Sequence, residues 1–108
     1  MLILPIKRKW FDMILSGEKK EEYREIKPYW TTRFKRVFPF NFIGRPIYGY
    51  EREVIFKNGY RKDAPSFVAK CTLSVGTGNE EWGAEKDKEY FVLTVQEIIS
   101  GEKKEREI

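Results

Sequence analysis

The stretch that decides the fold reads KRKWFDMILSGEKKEEYREI and occupies residues 7–26. In its first half, Trp10 and Ile14 recur at four-residue spacing, as apolar residues do on one face of a helix. Gly17 follows directly, and a glycine can end a helix in the left-handed conformation without the steric cost of a Cβ atom. The pattern therefore predicts an amphipathic helix of about two to three turns over residues 7–16.

The second half of the stretch carries a charged pattern. No apolar stripe recurs from residue 18 to residue 26, so we interpret it as an extended segment with polar faces. In such a segment Glu22 and Arg24 share a face, about 7 Å apart by two strand rises. Strict alternation would send Lys19 to the opposite face. Convergence of the three side chains therefore requires that the turn after Gly17 still be unwinding at Lys19.

Outward from this stretch, apolar runs alternate with turn residues. The predicted elements are a strand at residues 2–6, a second short helix at residues 28–36, strands at residues 47–57, 66–75 and 89–99, and a loop or short helical excursion at residues 76–88. Asn58 and Gly59 predict a tight hairpin turn between two antiparallel strands. Together, these elements predict an α+β domain with five to six mostly antiparallel strands and two or three short helices, arranged as a small barrel.

Length and composition indicate one folded domain. The chain has 108 residues, of which 41% are hydrophobic, and this is enough for one core. We expect residues 1–108 to form a single domain, with a frayed, charged tail from about residue 100. No apolar run approaches the ~20 residues that span a bilayer. The single cysteine, Cys71, is expected to be a buried, inert thiol, and we expect a cytoplasmic protein without membrane contact.

Several classes of chemistry are excluded by what the chain lacks. It has no histidine, which removes serine-histidine and cysteine-histidine catalysis and the usual transition-metal ligand sets. Its scattered glycines form neither a phosphate-binding loop nor a dinucleotide fingerprint, which excludes NTPases and dehydrogenases. We therefore expect no metal and no cofactor. Any catalysis must use lysine, acidic side chains, tyrosine or the backbone.

Charge is distributed unevenly along the chain. Residues 1–60 hold 13 lysines and arginines against 7 acidic residues, and residues 61–108 hold 8 against 10. The halves therefore carry charges of +6 and −2. A one-sided basic surface attracts polyanions and gives salt-dependent binding. The alternative is an ordinary solvated charged surface.

The charged pattern after the first helix resembles the signature of the ASCH family. Gly17, Lys19, Glu22 and Arg24 form the sequence Gly-x-Lys-x-x-Glu-x-Arg, and the close resemblance covers about residues 2–26. A softer resemblance to phage and bacterial members extends over the loop at residues 76–84. The resemblance implies a PUA-like β-barrel with a basic cleft between barrel and helices, whose wall is lined by the motif residues. It also implies RNA, or a nucleotide or nucleoside, as the partner.

Carried onto this sequence, the resemblance and the basic residues around the motif predict a nucleic-acid-binding site. Its predicted members are Lys7, Arg8, Lys19, Glu22, Arg24 and Trp82. Arg24 offers a planar fork of donors for phosphate or a guanine edge, and Glu22 can accept from an exocyclic amine. Lys19 supplies a mobile cation, and the ring of Trp82 can stack a base. The alternative is that Glu22 and Arg24 merely pair with each other on an exposed strand.

Enzymatic functions remain alternatives to the binding of RNA or a nucleotide. Some ASCH branches remove the acetyl group from acetylated cytidine, and others cleave RNA. The amidohydrolase branch resembles this chain at Lys19 but has a threonine where this chain has Glu22. An enzyme of this kind would use Lys19, Glu22 and Glu80, with Glu81 as the alternative to Glu80. A catalytic lysine needs a lowered pKa, and a nearby carboxylate works against that. A protein-interaction module is the third class.

Overall fold

A computed structural model of the protein describes residues 1–101 and shows an α+β domain built on one five-stranded sheet. Within these residues the strands are β1 (Leu2–Pro5), β2 (Glu21–Arg24), β3 (Arg52–Lys57), β4 (Ser66–Thr77) and β5 (Glu89–Gly101). The helices of the same range are α1 (Arg8–Leu15) and α2 (Pro28–Lys35), and a 3-10 turn covers Glu80–Trp82. In this described part, no helix is both long and apolar enough to cross a bilayer.

The sheet is mixed and curled. Its strand order is β1-β3-β4-β5-β2, with β1 parallel to β3 and the other neighbours antiparallel. The register between β4 and β5 shifts between Val68 and Ala69 and again between Lys70 and Cys71. Such irregularities bend a strand and increase its twist. The sheet forms a half-barrel, in which β1 and β2 are the two edges.

The coarse fold prediction is confirmed, since the α+β class, five mostly antiparallel strands and short helices are all present. The PUA-like barrel is a finer assignment and remains a proposal. Of the predicted tail, Ser100 and Gly101 belong to β5 and pair with Val68 and Phe67. Its remainder, residues 102–108, lies outside the described residues.

The connection between β3 and β4 differs from the predicted tight turn. The two strands are antiparallel as expected, but a wide loop at residues 58–65 joins them. Asn58 donates its side-chain amide to the carbonyl of Ile6 at 3.1 Å, and its backbone N–H donates to Pro65 at 2.9 Å. Asn58 therefore fastens this loop to the end of β1 instead of serving as the corner of a two-residue turn.

Two apolar clusters lie on opposite faces of β2. Glu22 and Arg24 stand across from Leu93 and Phe91 of β5, which belong to the main core. The main core also takes Phe11 and Ile14 from α1, Phe34 from α2, and the inward residues of β1, β3 and β4. Tyr23 stands across from Val92 and joins it, Ala84 and Tyr90 in a second cluster. The motif strand therefore points Glu22 and Arg24 toward the main core, while Glu21 lies on the face of Tyr23.

Cys71 lies in the main core with no measurable exposure. Burial raises the pKa of its thiol to about 12. A thiol with so high a pKa is almost wholly protonated at neutral pH and is a poor nucleophile. The prediction of a buried thiol is confirmed.

Candidate functional site

The end of α1 sets the position of Lys19. Ser16 and Gly17 donate their N–H groups to carbonyls of the last helical turn, and Gly17 has a φ of +88°. The N–H of Lys19 then donates to the carbonyl of Met13 at 2.9 Å. Lys19 thus lies in this turn, before β2 begins, and strand alternation does not fix the direction of its side chain. The structure brings its ammonium group to the side chains of β2.

Lys19, Glu22 and Arg24 form a continuous ionic cluster, called here the motif cluster. The Nζ atom of Lys19 lies 3.2 Å from Oε1 of Glu22, and Nη1 of Arg24 contacts Oε2 of the same carboxylate. Lys19 is 1% exposed and Glu22 is 6% exposed, while the side chain of Arg24 is 13% exposed. The carboxylate therefore separates two cations, and the cluster carries a net charge of +1 in a largely dehydrated position.

Arg24 bridges the two edges of the half-barrel. Its Nη2 atom donates to the carbonyl of Pro5, at the end of β1, at 2.8 Å, and its Nη1 atom donates to the carbonyl of Tyr23 at 2.8 Å. The guanidinium carbon lies 5.1 Å from the centroid of the Trp30 ring, a distance typical of a cation-π contact. A planar guanidinium with five donors can make these contacts at once. Arg24 therefore links β2 to β1 across the open side of the sheet.

Lys19 is enclosed by aromatic rings and one carbonyl. Its ammonium group donates to the carbonyl of Trp82 at 2.5 Å and lies 4.6 Å from the Trp10 ring centroid and 5.0 Å from that of Tyr23. Burial lowers the pKa of Lys19, and the attraction of Glu22 opposes this shift without overcoming it. The enclosure therefore makes the neutral amine more accessible than in an ordinary lysine.

The connection between β4 and β5, residues 78–88, is called here the closing loop; it supplies the Trp82 carbonyl and is held against β2 by Tyr23. The Tyr23 hydroxyl accepts the N–H of Asn79 at 2.9 Å and donates to Glu21 at 2.7 Å. Burial raises the pKa of Tyr23, so this hydroxyl stays protonated. Gly78 packs so closely on the Tyr23 ring that a Cβ atom there would lie 2.6 Å from it. The glycine-rich loop is thus fitted to the motif strand.

The other predicted site residues are dispersed. Lys7 is exposed and lines a concavity of about 350 Å³ together with Pro5, Ile6 and residues 58–60. Arg8 is exposed and pairs with Asp12 of its own helix at 3.2 Å. These two side chains lie outside the motif cluster.

The two predicted members from the closing loop also differ from each other. Trp82 is half-buried against the second cluster, so its contact with Lys19 runs through its carbonyl. Glu80 is exposed. Within residues 1–101, no hydrogen bond or ion pair joins Glu80 to Lys19. In the same part of the chain, the acidic side chains and the cysteine nowhere form a group of three that could hold a metal ion.

Sequence reasoning missed three groups that complete the environment of the motif. In the sequence, Trp10 marks only the apolar face of the first helix, yet its ring covers Lys19 and touches Gly83, where a Cβ atom would lie 3.1 Å away. Tyr23 alternates with the charged residues of β2 and therefore gave no signal of contact with Lys19. The Pro5 carbonyl is a backbone group, which no side-chain pattern reveals.

Comparison of the chain with models of protein families, with curated proteins and with solved structures finds no match. The ASCH resemblance therefore remains a prediction from the residues of the motif.

Proposed function

We propose that this protein binds RNA, or a nucleotide derived from RNA, as an ASCH-like domain with a PUA-like fold. The observation that carries the proposal is the convergence of Lys19, Glu22 and Arg24 at the open side of the half-barrel. Two cations and one carboxylate in this position leave one unit of positive charge in a medium of low dielectric. Such a charge exerts a stronger field on a nearby anion than a solvated one.

The concavity beside β1 is the ligand position that we favour. Pro5 lines it, and the carbonyl of Pro5 accepts from Arg24, so the concavity adjoins the motif cluster. Its volume of about 350 Å³ falls in the range of small-molecule pockets, about 300–1,000 Å³. Lys7 supplies an exposed cation for a phosphate, and the ring of Tyr60, which is 89% exposed, is free to stack a base.

In this proposal the motif cluster acts mainly from behind the ligand. Lys19 and Glu22 are satisfied by protein groups, and Arg24 fixes the position of Pro5 in the wall of the concavity. Direct contacts fall to the exposed groups, Lys7 and Tyr60. The motif cluster thus supports the wall of the concavity and supplies positive potential, and Lys7 and Tyr60 contact the ligand.

The test is fluorescence anisotropy with a labelled short RNA at increasing salt. We expect binding that weakens as salt rises, because cation contacts with phosphates release counterions. Lys7→Ala should weaken it further, while Lys86→Ala, the same change on an exposed lysine of the closing loop, should not. Arg24→Ala should weaken it as well, and this variant needs a parallel check of folding. Binding that responds neither to salt nor to these substitutions removes the proposal.

A second candidate, hydrolysis of acetylated cytidine, is favoured by one observation. Burial lowers the pKa of Lys19, as a lysine acting as a base requires. The reaction would consume one water and yield cytidine and acetate. Chromatography of acetylated cytidine after incubation with a high concentration of the protein decides this candidate, since a pure binder leaves the compound intact.

A further inference from the structure

Between α2 and β3 the chain exposes three aromatic rings. Phe42 is 100% exposed, Tyr48 is 71% exposed and Tyr50 is 48% exposed. Together with Arg45 and Arg52 they form what we call the aromatic surface. Rings that are mostly exposed contribute little to the stability of the fold, and exposed apolar side chains close together in the chain are typical of sites of interaction.

The loop that carries the aromatic surface is held in one shape. The side-chain oxygen of Asn41 accepts the N–H groups of Ile43 and Arg45 at 3.1 and 3.0 Å, and the N–H of Ile47 donates to Pro39 at 2.9 Å. Gly44, with a φ of +87°, closes the turn at the tip. Because these bonds fix the backbone, a ligand would find the tip already ordered and would pay little ordering entropy on binding.

The segment that carries these rings is predominantly basic. Residues 33–52 contain five lysines and arginines and one acidic residue. The guanidinium of Arg52 lies 5.6 Å from the Tyr50 ring centroid, and its Nε atom donates to the carbonyl of Val37 at 3.0 Å. Along residues 42–52, arginines alternate with exposed aromatic rings, as phosphates and unpaired bases alternate along a single strand.

We propose that the aromatic surface binds single-stranded RNA, with Phe42 and Tyr48 stacking on bases and Arg45 and Arg52 meeting phosphates. This inference rests on the proposed function and adds a second contact region to it, away from the concavity at Lys7. A single strand is favoured over a duplex because stacking on a side chain requires an unstacked base. A second copy of this chain is disfavoured because two such basic stretches repel each other.

The experiment measures the affinity of a labelled oligouridine of about 12 nucleotides, a length that one small domain can cover. Phe42→Ala combined with Tyr48→Ala should weaken binding by about tenfold for each ring removed. The matched control, Phe42→Tyr combined with Tyr48→Phe, keeps both rings and should bind like the wild type. A duplex of the same length should bind more weakly, and the double alanine variant and the control variant should bind it with equal affinity. Circular dichroism on each variant checks that the fold is retained.

The outcomes separate the two proposals. If the wild type binds, Lys7→Ala weakens binding, and the double alanine variant binds like the wild type, the aromatic surface is not a contact region, although the proposed function stands. If the wild type binds no RNA at all, both proposals fail together. If sedimentation shows a dimer that the double alanine variant does not form, the rings serve self-association and the inference is overturned. Loss of affinity confined to the double alanine variant supports it.

Discussion

The motif cluster and the aromatic surface differ in which kind of side chain is buried. In the first, Lys19 and Glu22 are almost wholly buried although they carry charges. In the second, Phe42 and Tyr48 face solvent although they carry large rings. Buried charges are tolerated only when they are paired and hydrogen-bonded, and each member of the motif cluster has such partners. The rings of the aromatic surface have no equivalent role inside the fold.

This difference indicates that the two regions have separate roles, one in stability and one in binding. The motif cluster joins α1, β2, the closing loop and the end of β1, so it fixes how the half-barrel is held together. The aromatic surface contributes little to that assembly and is therefore available for an external partner. Substitutions in the motif cluster should therefore change the stability of the protein, and substitutions in the aromatic surface should change its binding of RNA.

The largest expected effect comes from Glu22→Gln. This change leaves the ammonium of Lys19 and the guanidinium of Arg24 buried without their shared counter-charge, and breaking a buried pair in this way costs about 3–5 kcal/mol. Urea denaturation measures it as a lower midpoint with an unchanged slope. The control is Glu18→Gln, the same chemical change on an exposed residue of the same segment. Equal midpoints for the two variants would show that the cluster is not buried in solution.

Arg24→Lys should give the next largest effect. A lysine keeps the charge but cannot reach Glu22, the Tyr23 carbonyl and the Pro5 carbonyl together, and the loss of such charge-assisted hydrogen bonds costs about 2 kcal/mol. Hydrogen exchange should show faster exchange in β1, because its link to β2 is lost.

Arg52→Lys provides the comparison from the aromatic surface. Arg52 also donates to a backbone carbonyl, that of Val37, but it is exposed. Its replacement should change the free energy of unfolding by no more than about 0.5 kcal/mol. A loss as large as that of Arg24→Lys would mean that the two regions do not differ as proposed.

Much of the fold could be predicted because its signals are local. The spacing of Trp10 and Ile14 and the glycine at position 17 fix the helix and its end, and both are found in the structure. Residues 47–51 were predicted as strand from their aromatic and β-branched composition, yet β3 begins only at Arg52. Composition describes what a residue favours in a sheet, but pairing also needs a neighbouring strand, and residues 47–51 lie in no strand.

The candidate site could be predicted only in part, for the same reason. The pattern showed which charged residues belong together on β2, but it could not show that they are buried. Burial depends on Pro5 and Trp82, which lie 19 and 63 residues away from their partners Arg24 and Lys19. Contacts over such separations follow from the sheet order and not from any local spacing. The aromatic surface went unnoticed because exposure, too, is a property of the assembled fold.

A smaller effect is expected from an ion pair just outside the motif cluster. Glu25 is exposed and lies 2.8 Å from Lys88 and 3.0 Å from Lys27, and these hydrogen-bonded partners lower its pKa to about 2. The unfolded chain therefore takes up a proton at this carboxylate at higher pH than the folded protein does. The stabilisation is present above pH about 4.5 and is lost as the pH falls toward 2.

Glu25→Gln should accordingly lower the thermal midpoint slightly at pH 7 and not at all near pH 2. Because the pair is exposed, the difference at pH 7 should also vanish in about 1 M salt, where the Debye length is about 3 Å. The effect of Glu22→Gln should persist in the same salt, since buried charges are poorly screened. Salt that abolished both effects would erase the distinction between the two pairs.

The smallest expected effect is that of Phe42→Ser on stability. A ring that is fully exposed in the folded protein loses no burial when it is removed, so the free energy of unfolding should change by no more than about 0.5 kcal/mol. Phe34→Ala, which removes a fully buried ring from α2, should cost about 3–5 kcal/mol in the same assay. If Phe42→Ser destabilised the protein by an amount that grew with protein concentration, the ring would be covered by a second copy. The aromatic surface would then belong to an assembled core, as the motif cluster belongs to the core of one chain.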